Sequence, residues 1–185
     1  LIISPENNIV SIQDKDMSLD VGAIAKGYSV QRVADWMEKE GMKGYILNVG
    51  GNVCTVGERP DGEKWKVGIE NPFGENEEEP YIATIQLNGG MSLVTSGSYQ
   101  RYYVVGGKEY HHIIDEKTLM PASYFKSVSV LCDDSGVADA LSTALFCMDY
   151  EEGLKIIEST EKAEAMWVFP DGTQKYSKNF KNYFD

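Results

Sequence analysis

At 185 residues, with 42% hydrophobic and 25% charged side chains, the chain has the dimensions of one globular domain with room for a real core. Its net charge of -12 excludes a general nucleic-acid binder, because neutralising phosphates takes clustered Lys and Arg. No stretch approaches the run of about 20 apolar residues that spans a bilayer. Because the chain starts at Leu1, the lack of a signal-like segment carries no information on location.

In chain order, residues 22–41 read as a helix: Val30, Val33, Ala34 and Met37 recur at helical spacing and Gly41 supplies a stop. Strands are expected at 44–49, 52–57, 64–69 and 81–87, the last with clear alternation. Glu75, Glu77, Glu78 and Glu79, between Pro72 and Pro80, form an acidic run that reads as a solvated loop. Another strand leads into Thr95-Ser96-Gly97, and strands at 99–105 and 108–114 flank Gly106-Gly107, a two-residue hairpin signal. A strand at 127–132 precedes helices at 135–148 and 151–160. A closing hairpin, 164–169 with 173–176, turns at Asp171-Gly172. Helix, many mostly antiparallel strands, helices and a hairpin make an α+β domain, one unit over residues 1–185. Cys54, Cys132 and Cys147 show neither zinc nor disulfide spacing and read as buried thiols.

The helix 135–148 is the most informative element. Val137, Leu141, Ala144, Leu145 and Met148 form an apolar stripe expected to face the core. Asp139 and Thr143 lie opposite, one turn apart, on a face with no Lys, Arg or Glu, which implies that this face is covered. A carboxylate and a hydroxyl suit a hard cation such as Mg²⁺; alternatively both bond neighbouring backbone. Asp20-Val21-Gly22-Ala23-Ile24-Ala25-Lys26-Gly27 opens the first helix with small residues, helix N–H groups and a lysine, which suits an anion. The other reading makes Asp20 an N-cap and the small residues packing elements. His111 and His112 are the only histidines; side by side on a strand they face opposite ways, so one points inward. Asn48-Val49-Gly50-Gly51-Asn52 and Thr95-Ser96-Gly97-Ser98-Tyr99 are tight turns, or places where a ring or phosphate chain lies against backbone.

Taken together, DVGAIAKGY at 20–28, LNVGGNV at 47–53, VTSGSYQRYY at 94–103, HHIID at 111–115 and ADALSTALF at 138–146 resemble the ApbE family, the FAD:protein FMN transferases. The resemblance implies an ApbE-like, T-fold-like domain that binds FAD and Mg²⁺ and moves FMN onto a Ser or Thr of an acceptor protein, releasing AMP. Close alternatives are an FAD pyrophosphatase and a non-catalytic FAD-binding module. By position, Ala23 (through its carbonyl), Asp139 and Thr143 resemble the metal ligands. Asp20, Lys26, Gly50, Gly51, Ser96, Gly97 and Ile113 look like FAD contacts, and His112 like the base. Where the family pattern has Pro and then Thr-Gly-x-Pro after the HHIID run, this chain has Glu116-Lys117-Thr118-Leu119-Met120-Pro121, and Ser98 replaces a common acidic residue. The family also implies an N-terminal part with further FAD contacts and often a lipid anchor, and hence an extracytoplasmic, membrane-associated setting.

Overall fold

The computed structural model of the chain describes residues 1–74 and 79–185, so Glu75, Glu77 and Glu78 of the acidic run lie outside the described residues. Two short strands, β1 (Ile2–Ser4) and β2 (Ile9–Ser11), pair with each other ahead of helix α1 (Ala25–Lys39). Then follow β3 (Tyr45–Val49), β4 (Asn52–Val56), β5 (Trp65–Glu70), β6 (Tyr81–Leu87), β7 (Ser92–Gly97), β8 (Tyr102–Val105) and β9 (Lys108–His111). The remainder is β10 (Ile114–Asp115), β11 (Met120–Pro121), β12 (Ser127–Cys132), α2 (Ser135–Phe146), α3 (Tyr150–Ser159), β13 (Glu164–Val168) and β14 (Gln174–Tyr176). The expected α+β order holds throughout. The strand expected over 108–114 is interrupted, because β9 ends at His111 and Ile114–Asp115 pairs separately with β11.

A six-stranded antiparallel sheet, in the order β14-β13-β12-β7-β4-β3, organises the molecule. Alternation along its strands sends side chains to two faces. On one face Val94, Val128, Val130 and Trp167 meet Leu145, Phe146 and Ile157 of α2 and α3. On the other, Val53, Leu93, Leu131 and Met166 meet Ile69, Ile85 and Leu87 of the β5–β6 hairpin and Phe180. All six residues of β12 are buried, as a strand covered on both sides must be. Helix α1 closes the sheet's α2 side near β4, packing Val30 and Ala34 on Cys54 and Val56. Its stripe is narrower than the spacing implies, since Val33 is exposed.

Two sequence expectations require correction. The chain at 22–24 forms a turn, not the first turn of α1, and the helix starts at Ala25. On α2 the inward face is Ser135, Ala138, Asp139, Ser142, Leu145 and Phe146, whereas Val137 and Ala144 are exposed. Residue volume explains the second difference. Helices α1 and α2 cross so closely that a Cβ on Gly27 would sit 2.2 Å from the Ser135 carbonyl oxygen and 2.5 Å from Asp139 Cβ. Only small or hydrogen-bonding residues fit there, so Ser135 and Asp139 occupy the crossing, while Leu145 and Phe146 pack on the sheet. Burial follows the available space, not hydropathy alone.

Candidate functional site

The crossing of α1 and α2 brings together Lys26 and Asp139, two of the residues singled out in the sequence. Asp139 is 3% exposed, and both its oxygens are engaged: Oδ2 accepts the Gly27 amide at 2.7 Å and Oδ1 the Lys26 ammonium at 3.1 Å. Burying a carboxylate demands such partners. The Gly27 N–H lies in the first turn of α1, where amides have no intrahelical acceptor, and Asp139 satisfies it; the Ala23 oxygen, in the exposed turn before the helix, accepts no backbone hydrogen bond among the described residues. Asp20 does not cap α1. Its Oδ1 accepts the Gly22 amide at 2.6 Å and so shapes the preceding turn, while the N-cap position belongs to Ile24.

One turn along α2, Thr143 Oγ1 lies 3.2 Å from Ser96 Oγ, which also bonds Ser142 Oγ at 2.8 Å. Ser96 sits near the end of β7, so this central strand and α2 together set the orientation of the Thr143 hydroxyl. The Gly50-Gly51 turn joins this layer through Thr95, whose amide donates to the Gly51 carbonyl at 3.2 Å. Both glycines have positive φ, +54° and +80°, the geometry of a tight hairpin turn. Gly97 has a different reason to be glycine: a Cβ would lie 2.4 Å from the Tyr99 ring. Asn52, fully buried, accepts from Ser135 Oγ at 2.7 Å, and the Ser135 amide donates to Gln31. Neither Asn52, Ser135 nor Gln31 was singled out for a role, although the Gly-Gly-Asn turn contains one of them.

The two histidines part as alternation requires. His111 is buried edge-on to Phe146, and its Nε2 donates to the Ala122 carbonyl at 2.8 Å while Nδ1 accepts the Ile113 amide at 3.3 Å. Burial pushes its pKa below the usual histidine value, so both nitrogens are committed and the ring stays neutral. His112 is exposed, and its Nδ1 faces the Arg101 carbonyl at 3.3 Å. A carbonyl accepts only, so Nδ1 carries the proton and Nε2 keeps its lone pair free. Ile113 packs in the core with Phe146 while its carbonyl accepts the Ala122 amide at 3.0 Å. The thiols behave as expected: Cys54 and Cys132 are buried, Cys147 is half-buried, and burial raises the pKa of all three.

The loop after His112 explains one departure in the sequence. Leu119, at the position where the family pattern has glycine, has φ +56° and is 77% exposed. Its amide closes the turn onto the Asp115 carbonyl at 2.8 Å. A β-carbon is strained in that left-handed conformation, whereas glycine adopts it freely. Leu119→Gly is therefore expected to raise stability by about 0.5–1 kcal/mol in urea unfolding; a loss of stability would mean that the turn is not left-handed.

The donors present fit a hard divalent cation. Among the described residues no three His, Cys, Asp or Glu side chains gather as a metal cluster, and Asp139 is the buried carboxylate that would serve such a centre. The Ala23 carbonyl, which accepts no backbone hydrogen bond among the described residues, and the Thr143 hydroxyl are the matching neutral oxygens, and a ligand's phosphates would complete the shell.

Known proteins resemble this chain in sequence and in fold. The ApbE family profile matches residues 1–167. A curated FAD:protein FMN transferase from Klebsiella pneumoniae is 37% identical over 160 residues, which cover 86% of this chain and 48% of that protein. The crystal structure of the ApbE protein of Thermotoga maritima superposes with a TM-score of 0.87 at 30% identity, covering 100% of this chain and 59% of that one. The flavin transferase ApbE from Vibrio cholerae gives a TM-score of 0.72 at 30% identity, over 89% of this chain and 52% of its own. The chain thus spans about half the length of the curated relatives it matches. With family profile, relatives and fold in agreement, the chain belongs to the ApbE family.

Proposed function

We propose that this chain carries the metal-binding and base-bearing part of an FAD:protein FMN transferase, which moves FMN from FAD to a Ser or Thr hydroxyl of an acceptor protein. The observation that carries the reading is the α1–α2 junction: a buried carboxylate, an unpaired carbonyl and a hydroxyl beside a lysine, in a member of this family. Asp139, Thr143 and the Ala23 carbonyl would hold Mg²⁺, which when bound neutralises charge on the dinucleotide's pyrophosphate. Lys26 supplies a further positive charge for the same phosphates. His112 Nε2 takes the proton of the acceptor hydroxyl as its oxygen bonds to the flavin-side phosphorus. The pyrophosphate P–O bond breaks and AMP leaves with the bridging oxygen. Little else is asked of the protein, because phosphoryl chemistry depends mainly on positioning and charge.

The test incubates the complete protein with FAD, Mg²⁺ and a Thr-bearing acceptor, and measures acceptor mass and free AMP. One FMN added per AMP released supports transfer. Equal AMP release without acceptor identifies a hydrolase instead, and FAD retained intact identifies a binding module. His112→Ala is expected to slow transfer by roughly 10²–10⁴-fold, with an unfolding midpoint close to that of the parent, since the ring is exposed. Unchanged transfer in His112→Ala would remove it as the base.

A further inference from the structure

Asp139 has two different kinds of partner. The Gly27 amide on Oδ2 is backbone, locked in a helix crossing with no room to move. The Lys26 ammonium on Oδ1 ends a flexible side chain that is about one-third exposed, 33% against 5% for the aspartate. One oxygen is therefore permanently committed, while the other has an exchangeable partner with a path to solvent. A carboxylate this deep is stabilised by a positive charge beside it. An ammonium and a divalent cation repel each other, so both cannot sit at full strength against Oδ1.

We infer that Lys26 is a positioning residue that holds the cation's place on Asp139 in the ligand-free protein. It gives way when a dinucleotide pyrophosphate offers it another anion, so FAD and the divalent cation bind cooperatively through this one side chain. The inference rests on the proposed FAD and Mg²⁺ reading of the junction. Without phosphate, a cation must displace Lys26 from its only ion-pair partner among the described residues. With phosphate, the ammonium moves to the ligand and Oδ1 becomes available. By linkage the same coupling tightens FAD when the cation is present.

The experiment titrates Mn²⁺ as a Mg²⁺ surrogate into the complete protein, following free Mn²⁺ by electron paramagnetic resonance, with and without saturating FAD. The parent protein is expected to bind Mn²⁺ about tenfold or more tightly when FAD is present. In Lys26→Met, affinity without FAD should rise by about tenfold and the gain from FAD should fall to about twofold or less. Lys26→Arg, which keeps the charge, should retain most of the coupling. Lysine acting only as a fixed repulsive charge would give equal tightening with and without FAD, and that result overturns the exchange. So does a Lys26→Met protein whose FAD-free affinity matches the parent. Either failure leaves the site reading intact provided that the parent binds Mn²⁺ with FAD and Asp139→Asn does not. Absence of Mn²⁺ binding in the parent under both conditions sinks the site reading and the exchange with it.

Discussion

Asp139→Asn is expected to lower FMN transfer by about three orders of magnitude and to abolish its dependence on Mg²⁺, measured as AMP release against Mg²⁺ concentration. The size follows from the donor set. Asp139 is the one carboxylate of the proposed donor set, with neutral oxygens beside it, so its loss removes the formal negative charge that this set directs toward the cation. Asparagine is a fairer test than alanine. Its carbonyl can still accept the Gly27 amide, but its amide group then faces the Lys26 ammonium. A stability loss of about 1–3 kcal/mol should accompany the activity loss, too little to unfold a domain with two extensive cores. Activity that survives in Asp139→Asn with the Mg²⁺ response unchanged would place the metal elsewhere.

Gly27→Ala should have a large structural effect for a single methyl group. The added carbon would lie 2.2 Å from the Ser135 carbonyl oxygen and 2.9 Å from its carbon, both backbone, and 2.5 Å from Asp139 Cβ. No rotamer change relieves a clash with backbone, so α1 and α2 must separate and the 2.7 Å bond from Gly27 to Asp139 stretches. We expect a loss of about 2–4 kcal/mol, seen as a melting temperature lower by roughly 5–15 °C, together with weaker cation binding. Gly50→Ala is the control: its Cβ would meet nothing within 4 Å, so only the left-handed φ of +54° opposes it. That substitution should cost about 1 kcal/mol. Equal losses for the two variants would refute the close helix crossing as the reason for Gly27.

Much of the element order was legible because local rules set it. Alternation in β6, the Gly106-Gly107 turn and the boundaries of β12 each depend on neighbours a few residues away. Reading α2 by hydropathy failed for the opposite reason. Val137 faces solvent and Asp139 faces inward because a second helix, more than a hundred residues earlier in the chain, leaves space for nothing larger. A similar limit applies to the histidines. Alternation said that one of them points inward, and only the Ala122 carbonyl and the Phe146 ring identify His111 as that one. Leu119 shows a third case, since a missing glycine is visible in the sequence but the positive φ that makes it matter is not.

The sequence by itself determined the family, the α+β order of elements and the small set of residues capable of the chemistry, because motifs and short-range periodicity are written along the chain. Tertiary structure alone decided how those residues are used. Asp139 binds Gly27 and Lys26, and Thr143 is oriented by Ser96, both through contacts between segments remote in sequence. Such contacts depend on the fit of whole elements, and the distance at which two helices can cross is set by volume that no local pattern encodes.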